Sequence, residues 1–496
     1  MSVKVRFCPS PTGLLHIGTV RTCLYNFLFA KQNNGEIVFR MEDTDKNRSK
    51  KEYAENIISG LKNLGITADL GVGTGMDENL YYQSNRGEIY KKYLLDLLYS
   101  GNAYFCFCKK EELDTKKEND KTNNVAYKYD GKCRTSDNKD QSDIKKYIEK
   151  CEERIKNGEN ATIRLKINKN EIIKFNDLVR GDISFNTNDF DDFIIAKSIN
   201  EPLYNFTVVI DDHEMKISHV IRGEDHISNT PKQILIYKAF NFNIPEFAHL
   251  PLILNEDKTK LSKRKNKVSI DDYLSEGYLK DAMLNFLFLL GFNTPDEKEI
   301  FSISEMIESF NLYKVHKGGA IFDIKKLNWI NSKYIRNMDF NDFLTYFKKE
   351  IPILNINKDF LKRIAILEKE RINKFSDIKD DLFLFEIFEY NIEDILNEKM
   401  GVDLNIIKIS LENSLNFINN FNLDYNLDKN TIENNLKEGF IKIITDLNLK
   451  NGQILWPLRY ALSGVDKSPG VFELIWVLGK EESIKRINFA LNLLYK

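Results

Sequence analysis

No long apolar run occurs in this sequence. The longest, residues 283–290, is interrupted by Asn285 and falls far short of the roughly 20 residues that a membrane-spanning helix needs. The first residues enter an alternating strand pattern directly, without the basic segment, apolar stretch and small-residue cleavage site of a secretory leader. We therefore expect a cytoplasmic protein with no membrane partner.

An excess of charge of one sign is also missing. The 72 lysines and arginines nearly balance the 74 aspartates and glutamates, and the formal net charge is −2. Bulk charge therefore implies no nucleic-acid partner, and any basic surface must be local. Only six cysteines occur, and the cluster of Cys106, Cys108 and Cys133 does not have the pattern of a disulfide framework in this context.

The chain has 496 residues, of which 42% are hydrophobic, so it is too long for one ordinary core and suggests about three or four domains. Its first part alternates strand, loop, helix, strand and helix. Val20, Leu24 and Phe27 recur at helical spacing, and "EIVFRMED" is a compact strand that ends in acids. This order predicts a parallel sheet with helices on its faces.

The pattern changes between residues 100 and 198. There "KKEELDTKKENDKTNN" predicts a solvated helix and loop, and "ATIRLKI" and "DISF" predict antiparallel edge strands. Further on, "TVVI" predicts a strand covered on both faces, Thr230 followed by Pro231 predicts a helix start, and "AHLPLIL" predicts another strand. One α/β domain is therefore expected to be split by an insertion.

After residue 270 almost every segment has a helical period, for example the face of Val471, Leu474 and Leu478 that is closed by Gly479. No internal repeat is found. The predicted fold class is an α/β N-terminal half, with a Rossmann-like parallel sheet split by an inserted α+β domain, followed by an all-α C-terminal half. The expected domains are residues 1–99, 100–198, 199–255, 256–338 and 339–496.

The turn at residues 8–16 is the first candidate site, because ligands of parallel sheets bind beyond the carboxyl ends of the strands. Gly13 and Gly18 allow close approach to the backbone, the following helix offers free N–H groups to a phosphate, and His16 adds a donor. The G-x-G-x-x-G pattern of dinucleotide binders is absent. The alternative interpretation is a capped helix with a satisfied histidine.

A basic loop, "KTKLSKRKNK" at residues 258–267, follows a strand that we assign to the same sheet. Its lysines and hydroxyls could hold a triphosphate while charge develops in phosphoryl or adenylyl transfer. A solvated surface loop is the alternative.

The order of these motifs is similar to that of a known family. "HIGT" after "PSPTG" and the later "KLSKR" resemble the HIGH and KMSKS motifs of class I aminoacyl-tRNA synthetases. "PSPTGLLHIGTVRT", "RMEDTD", "YNFTVVIDDHEMKISHVIRGEDHISNTP", "HLPLIL", "WPLRYALSG" and "SPGVFELIWVLG" resemble glutamyl-tRNA synthetases of the bacterial type. Leu261 replaces the methionine of the general motif, which is a volume-conserving change.

This resemblance implies a ligase that joins glutamate and ATP, with Mg²⁺, into glutamyl-adenylate and passes the glutamyl group to the 3′-terminal adenosine of tRNA(Glu). Positioning and charge stabilisation carry such a reaction, and the protein supplies no covalent nucleophile. The implied ATP-binding residues are His16, Gly18, Asp225, Lys260, Ser262 and Lys263, with His16, Lys260 and Lys263 as the catalytic residues.

The resemblance also implies a glutamate pocket, and its residues are Arg6, Ser10, Glu42, Tyr204 and Arg222. The second carboxylate of glutamate needs a bidentate cation, which arginine supplies, and Glu42 suits the α-ammonium group. For the arginines the alternative is a structural ion pair, with Asp43 or Asp225. Cys8 is interpreted as packing.

The remaining domains then take tRNA. Residues 100–198 match the acceptor-binding domain, residues 256–338 a stem-contact domain with the KLSKR loop, and residues 339–496 the anticodon-binding region. In the anticodon-binding region, the resemblance implies that the anticodon is read by Arg459, Ser468, Pro469, Gly470 and Val471. A helix cap at Ser468 is the alternative, and Trp456 and Trp476 are expected in the core.

A zinc site of some relatives is similar to the cluster of Cys106, Cys108 and Cys133, with Tyr129 as a fourth candidate ligand. A structural zinc site needs four ligands, and Thr135 stands where relatives can hold a histidine. Metal-free packing is therefore the favoured interpretation.

Four rival functions share part of this pattern. Glutaminyl-tRNA synthetases carry C-terminal β-barrels, which the helical periodicity disfavours, and a shorter relative that modifies a tRNA base lacks the C-terminal half. A small nucleotidyltransferase lacks the arginine pair, and a non-catalytic tRNA-binding paralogue should have lost His16 or the lysine loop. Charging of tRNA(Gln) as well as tRNA(Glu) stays open, and the family implies a monomer.

Overall fold

The computed structural model describes residues 2–45, 47–75, 77–123, 127–136, 140–261, 267–294, 298–351, 356–386 and 389–495. The chain divides into two compact units. The first consists of Met1–Ser275 and Lys280–Leu327, and the second of Glu276–Leu279 and Asn328–Lys496. Within the described ranges, no helix combines the length and the apolar character needed to cross a membrane.

The first unit opens with alternating strands and helices, as the sequence predicts. They are β1 (Lys4–Phe7), α1 (Ile17–Gln32), β2 (Glu36–Phe39), α2 (Lys51–Asn63), β3 (Leu70–Gly71) and α3 (Gly87–Tyr99). The strands form a parallel sheet of order β1-β2-β3. Val5, Ile37 and Val38 are almost completely buried, and the consecutive apolar residues 37–39 of β2 fit a parallel strand that is covered on both faces.

The next segment contains the predicted insertion. Its elements are β4 (Ala103–Cys106), α4 (Lys110–Thr122), α5 (Gln141–Lys156), β5 (Thr162–Leu165), β6 (Ile172–Asp177), β7 (Gly181–Asn186), β8 (Ile194–Ser198) and β9 (Glu201–Pro202). Helix α4 has no buried residue, as expected of a solvated helix.

One strand of this segment does not lie at the edge of its sheet, where we predicted it. The "ATIRLKI" strand, β5, is an interior strand of the antiparallel sheet β4-β5-β8-β9, whereas β7 ("DISF") is the edge strand that we expected. Strand β5 can lie inside the sheet because its polar residue Arg164 is paired with the backbone oxygen of Asp192 at 2.7 Å and stacks on Tyr129.

The α/β pattern resumes with α6 (Tyr204–Glu214), β10 (His219–Gly223), α7 (Thr230–Ala239), β11 (Glu246–Leu250) and β12 (Ile253–Leu254). The "TVVI" run lies in α6, so its prediction as a strand is wrong. Every residue from 206 to 212 in this helix is buried. A helix without a polar face lacks the 3.6-residue period by which sequence analysis recognises it.

A second sheet has the order β10-β11-β6-β7, in which the β6–β7 hairpin joins β11 through the Phe247–Asp177 pair. Strands β1 and β10 adjoin, since the Ser218 N–H donates to the Lys4 carbonyl over 2.9 Å. The carboxyl ends of β1, β2, β10 and β11 therefore meet at one edge, which is the Rossmann-like arrangement that the sequence predicts.

The first unit is completed by α8 (Ile270–Ser275), α9 (Lys280–Leu289), α10 (Ile303–Ser309) and β13 (Ala320–Ile321), which pairs with β12. The Tyr25 hydroxyl on α1 donates to the carbonyl of Phe288 over 3.0 Å, so α9 is fixed against α1.

The second unit is helical throughout its described residues, as predicted. Its helices are α11 (Ile324–Asn337), which begins in the first unit, α12 (Phe340–Glu350), α13 (Lys358–Arg371), α14 (Leu404–Asn420), α15 (Lys429–Asp446), α16 (Asn451–Ser463) and α17 (Val471–Leu493). Helix α17 is broken at Gly479, whose φ of 81° suits glycine, at the point where the sequence predicts a helix end.

Short 3₁₀ segments connect these elements. They are Glu78–Tyr81, Gln83–Asn85, Thr187–Asp189, Glu224–Asn229, Leu312–Lys314, Phe375–Leu384, Ile392–Ile395 and Glu398–Met400.

Candidate active site

A cleft of about 620 Å³ lies at the carboxyl edge of the sheets in the first unit. The site residues predicted from sequence that line it are Arg6, Ser10, His16, Gly18, Glu42, Tyr204, Arg222, Asp225 and Lys260. Ser262 and Lys263, also predicted, lie outside the described residues. The cleft therefore brings together residues that are far apart in the chain.

The histidine of "HIGT" caps α1. Nδ1 of His16 accepts the Gly18 N–H over 2.9 Å, and the Ile17 N–H donates to the carbonyl of Val268 over 2.9 Å. A Cβ at Gly18 would lie 3.1 Å from Nδ1 of His16, which is a tight contact that the imidazole would relieve by shifting a few tenths of an ångström. His16 is thus both a helix cap, which was the alternative interpretation, and a residue of the cleft.

The basic loop reaches the same cleft through Lys260. Its amino group lies 3.9 Å from the carboxylate of Asp225, and both side chains are about half exposed, at 61% and 49%. Leu261 is buried, and its N–H donates to the carbonyl of Ile253 over 3.0 Å. Lys260 is held at the cleft while its charge remains available to an anion, because an exposed ion pair of this length is weak.

Arg6 is the next-to-last residue of β1 and is almost completely buried. Its Nε lies 3.4 Å from Oδ1 of Asp212, and Nη1 donates to the carbonyl of Ile221 over 3.3 Å. The partner of Arg6 is thus Asp212, and Asp43, the expected alternative, instead accepts from the backbone N–H and hydroxyl of Ser84.

Beneath the cleft lies a buried network that the sequence analysis missed. The guanidinium of Arg40 contacts Asp212 over 2.8 Å, Glu42 over 3.1 Å and Asp211 over 3.6 Å. Burial raises the pKa of Glu42, and the Arg40 cation partly offsets that rise. A signal for the network exists, because "VFRMED" and "VVIDDHE" place opposite charges directly against apolar runs, where charged residues occur only when paired.

Arg222 is the next-to-last residue of β10 and is also buried. Its Nε–H donates to Nε2 of His249 over 3.2 Å and its Nη2–H donates to the Thr230 hydroxyl over 2.8 Å. Among the described residues, Nη1 of Arg222 is buried without a hydrogen-bond partner. Asp225, the expected structural partner, lies instead beside Lys260.

The hydroxyl of Tyr204 lies 3.2 Å from Nδ1 of His226, which the sequence analysis also missed. Burial and the neighbouring Arg222 cation lower the pKa of His226 to about 4, so this histidine is neutral at neutral pH. Cys8 lines the cleft as well. Burial raises the pKa of its thiol to about 11, which agrees with packing rather than a nucleophilic role.

The candidate zinc ligands form a separate cluster. The Sγ atoms of Cys106, Cys108 and Cys133 lie within 4.8 Å of one another, and the Tyr129 hydroxyl is 3.4 Å from Sγ of Cys106. Burial opposes ionisation of Cys106, but hydrogen bonds, first that of Tyr129, lower its pKa to about 7. The three thiols supply three of the four ligands that a structural zinc ion takes, and the phenol of Tyr129 is not among its usual ligands. Metal-free packing stays a prediction.

The predicted anticodon residues lie in the second unit. Nη2 of Arg459 donates to the carbonyl of Asp466 over 2.9 Å, and its guanidinium lies 4.9 Å from the ring centre of Trp456. Arg459 and Ser468 line a cavity of about 790 Å³.

The cap of the following helix differs from the expected one. The first residue before α17 is Gly470, whose N–H donates to Glu473, so the interpretation of Ser468 as the cap is wrong. Pro469 and Val471 flank that cap. Trp476 is buried, and the indole N–H of Trp456 donates to the carbonyl of Ile395 over 2.8 Å, so both tryptophans pack inside the unit as expected.

Comparison with known proteins extends this picture to the whole chain. A model of the class I tRNA synthetases (E and Q), catalytic domain, matches residues 2–329, and a model of an anticodon binding domain matches residues 340–491. The chain is 42% identical to "Glutamate--tRNA ligase 2" of Caldicellulosiruptor saccharolyticus, over 98% of each protein. It is 41% identical to "Glutamate--tRNA ligase" of Aquifex aeolicus, again over 98% of each.

A solved structure agrees with these relatives. The crystal structure of a glutamate tRNA ligase from Elizabethkingia meningosepticum, in complex with its amino acid, superposes with a TM-score of 0.84 at 35% identity and covers 99% of both chains. Because the family models and the relatives cover almost the entire chain, this protein belongs to the glutamate--tRNA ligase family of class I aminoacyl-tRNA synthetases.

Proposed function

We propose that this protein activates L-glutamate with ATP, used as its Mg²⁺ complex, to glutamyl-adenylate, and transfers the glutamyl group to the 3′-terminal adenosine of tRNA(Glu). The observation that supports glutamate as the substrate is the set of hydrogen-bond partners of the Arg222 guanidinium. Its hydrogen-bond partners among the described residues are a histidine and a threonine, and Nη1 has none.

A buried guanidinium without a carboxylate partner costs several kcal/mol. Burial lowers the pKa of Arg222, but a guanidinium remains cationic in proteins. A ligand carboxylate would neutralise that charge and satisfy Nη1, whereas the neutral amide of glutamine would leave the charge uncompensated. The cleft therefore favours glutamate over glutamine.

Three other buried charges, those of Arg6, Arg40 and Glu42, already have charged partners. Arg6 and Arg40 share Asp212, and Arg40 also contacts Glu42. Glu42 lines the cleft and supplies a carboxylate for the α-ammonium group of glutamate. With the ammonium at Glu42 and the side-chain carboxylate at Arg222, both ends of the amino acid are held, and the direction of the α-carboxylate is fixed for reaction.

His16, Gly18 and Lys260 form the nucleotide side of the cleft. The N-terminus of α1 offers N–H groups and a positive dipole end to phosphate oxygens, and Lys260 adds a cation. We assign Asp225 to the same side, as well as Ser262 and Lys263. Mg²⁺ enters with ATP and neutralises phosphate charge.

The chemistry needs no protein nucleophile. The α-carboxylate of glutamate attacks the α-phosphate of ATP, pyrophosphate leaves, and the mixed anhydride forms. The 3′-terminal ribose hydroxyl of tRNA then attacks the activated carbonyl, and AMP leaves with the bonding electrons. The protonated Cys8 thiol takes no part, because a thiolate is the reactive form.

The tRNA is held along the rest of the chain. We assign residues 100–198 to its acceptor end, residues 256–338 to its stem and the cavity at Arg459 and Ser468 to its anticodon, with Pro469, Gly470 and Val471 beside it. We further propose a monomer that acts in the cytoplasm.

An aminoacylation assay of the full chain tests these assignments. Glutamate and glutamine are each offered with transcripts of tRNA(Glu) and tRNA(Gln). We expect charging with glutamate alone. Charging of tRNA(Gln) with glutamate would mark a non-discriminating enzyme, and preferential charging with glutamine would refute the assignment of Arg222 to a carboxylate.

A further inference from the structure

A buried chain of side chains lies behind Arg222, on the side opposite to the cleft surface. Nε–H of Arg222 donates to Nε2 of His249 over 3.2 Å, and Nδ1 of His249 lies 2.6 Å from Oδ2 of Asp177. His249 is fully buried, and Asp177 is 1% exposed. These residues are separated widely in sequence and lie on three adjacent strands, β10, β11 and β6.

The hydrogen bonds of this chain fix the tautomer of His249. An arginine Nε–H can only donate, so Nε2 of His249 must accept and carries no proton. The ring proton is therefore on Nδ1, where it is donated to Asp177. Burial lowers the pKa of His249, and Asp177 offsets that only in part, so the neutral ring that this pattern requires is the stable form.

Asp177 is itself held firmly. Its Oδ1 accepts the backbone N–H groups of Val179 over 3.0 Å, Arg180 over 2.8 Å and His249 over 3.2 Å. Asp177 stands at the turn of the β6–β7 hairpin, within the segment that we assign to the acceptor end of tRNA. The orientation of Arg222 thus depends on a side chain from the insertion.

We propose that Asp177 and His249 are positioning residues, which fix the plane of the Arg222 guanidinium so that Nη1 faces the carboxylate of the amino acid. This inference rests on the proposed function, since it concerns the same pocket. It adds that the β6–β7 hairpin takes part in amino acid selection without touching the amino acid.

The variant Asp177→Asn tests the relay with little change of shape. The amide oxygen can keep the turn contacts, and the amide NH₂ then faces Nδ1 of His249 and forces the proton to Nε2. The Nε2–H of His249 and the Nε–H of Arg222 then face each other, and two donors cannot form a hydrogen bond. We expect the KM for glutamate to rise about tenfold, while kcat and the KM for ATP stay within about twofold.

Asp192→Asn is the matched control. Asp192 is a buried aspartate of the same inserted segment and accepts from Tyr104, Arg134 and the backbone N–H of Ile167. Among the described residues, Asp192 makes no hydrogen bond or ion pair with Asp177, His249 or Arg222, so the KM of this variant for glutamate should stay as in the wild type.

A double variant separates positioning from general destabilisation. In the Arg222→Ala background, Asp177→Asn should raise the KM for glutamate no further, because the residue that it positions is gone. If the two effects multiply, or if Asp177→Asn alone leaves the KM for glutamate unchanged, the relay is refuted. If the wild type fails to charge tRNA with glutamate at all, the proposed function fails instead.

A second pair of variants decides the question if Asp177→Asn melts below the assay temperature. The carboxamide of His249→Gln can present an oxygen to Nε–H of Arg222, whereas His249→Leu cannot. We expect His249→Gln to keep the KM for glutamate within about threefold of wild type and His249→Leu to raise it about tenfold or more. Equal values for the two variants would overturn the proposal.

Discussion

Arg222 is the residue on which the proposed choice of glutamate rests. It is buried, it lines the cleft, and its hydrogen bonds among the described residues go to uncharged groups, whereas Arg6 and Arg40 share Asp212. The cost of holding such a cation away from water is recovered only when an anion binds. The residue is therefore built for a ligand more than for stability.

Replacing Arg222 by alanine should lower kcat/KM for glutamate about 10²-fold, or about 3 kcal/mol, because a charge-assisted bidentate contact is lost. The KM for ATP should be unchanged, since His16 and Lys260 are untouched. Steady-state aminoacylation with each substrate varied in turn measures both values.

Glutamine provides the internal control for that variant. Without the Arg222 cation, the preference for glutamate over glutamine should shrink, because the group that distinguishes a carboxylate from an amide is absent. Unaltered kinetics with glutamate would remove Arg222 from the pocket.

At the scale of the element, the first turn of α1 couples the helix cap to the nucleotide side. Gly18→Ala would bring a Cβ to 3.1 Å from Nδ1 of His16, so the imidazole has to shift and its hydrogen bond with the N–H of residue 18 weakens. We expect the KM for ATP to rise about five- to tenfold, in line with a lost cap of about 1 kcal/mol, with a smaller change for glutamate.

Gly87→Ala is the control for this change. Gly87 is the first residue of α3, and a Cβ there would meet no atom within 4 Å. Both variants place alanine in a first helical turn, but only Gly18→Ala disturbs His16. If the two variants have a similar KM for ATP, the cap at His16 does not contribute to nucleotide binding.

A pH-dependent prediction belongs to α13. Nη1 of Arg371 lies 2.8 Å from Glu368 and 3.1 Å from Asp381, so two carboxyl groups share one arginine. Burial and the Asp381 charge raise the pKa of Glu368 from 4.5 to about 8, although Arg371 opposes the rise. Between these pH values the folded protein holds a proton that the unfolded chain releases, so stability falls as pH rises.

Glu368→Gln removes this titration. The Tm of the variant, relative to that of the wild type at the same pH, should rise from pH 5 to pH 8. Melting curves at several pH values measure it. Glu412→Gln changes an exposed glutamate of α14 and is the control, and a difference for Glu368→Gln that stays constant with pH would contradict the shared-proton interpretation.

The sequence predicted most elements of the fold, and the exceptions have physical reasons. Strands β1 and β2, helix α1 and the C-terminal helices all have a clear period or clear end signals. Helix α6 does not, because it is buried on all sides and shows no polar face. A local pattern cannot distinguish such a helix from a buried strand.

The candidate site divides in the same way. Arg6 and Arg222 could be placed from sequence because each lies next to the carboxyl end of a strand, and ligands of a parallel sheet bind beyond those ends. Asp177 and His249 could not, since their roles depend on a strand pairing between distant segments, β6 and β11. Sequence analysis locates a side chain on its own element, but not its partner on another.

At the scale of the whole molecule, charge balance limits how tRNA can be held. The chain carries a net charge of −2, so a general attraction to a polyanion is absent. Affinity for tRNA must then depend on a few local cations and on groups that face unpaired bases. Single arginine changes in the tRNA-binding region are for that reason expected to have measurable effects.

Arg459→Ala tests this at the proposed anticodon cavity. Loss of the guanidinium from a splayed base should raise the KM for tRNA(Glu) about tenfold, while the KM values for glutamate and ATP stay within about twofold. A tRNA(Glu) with an altered anticodon should have a high KM with the wild type. Arg459→Ala should not raise the KM for this altered tRNA further.

Arg363→Ala is the matched control in the same unit. Arg363 also donates to a backbone carbonyl, that of Val477 over 3.0 Å, and lies 4.5 Å from the ring centre of Tyr425, much as Arg459 contacts Asp466 and Trp456. It lines a different cavity. Because the two arginines make equivalent internal contacts, a loss of packing would raise the KM for tRNA equally in both variants, and that result would remove Arg459 from anticodon recognition.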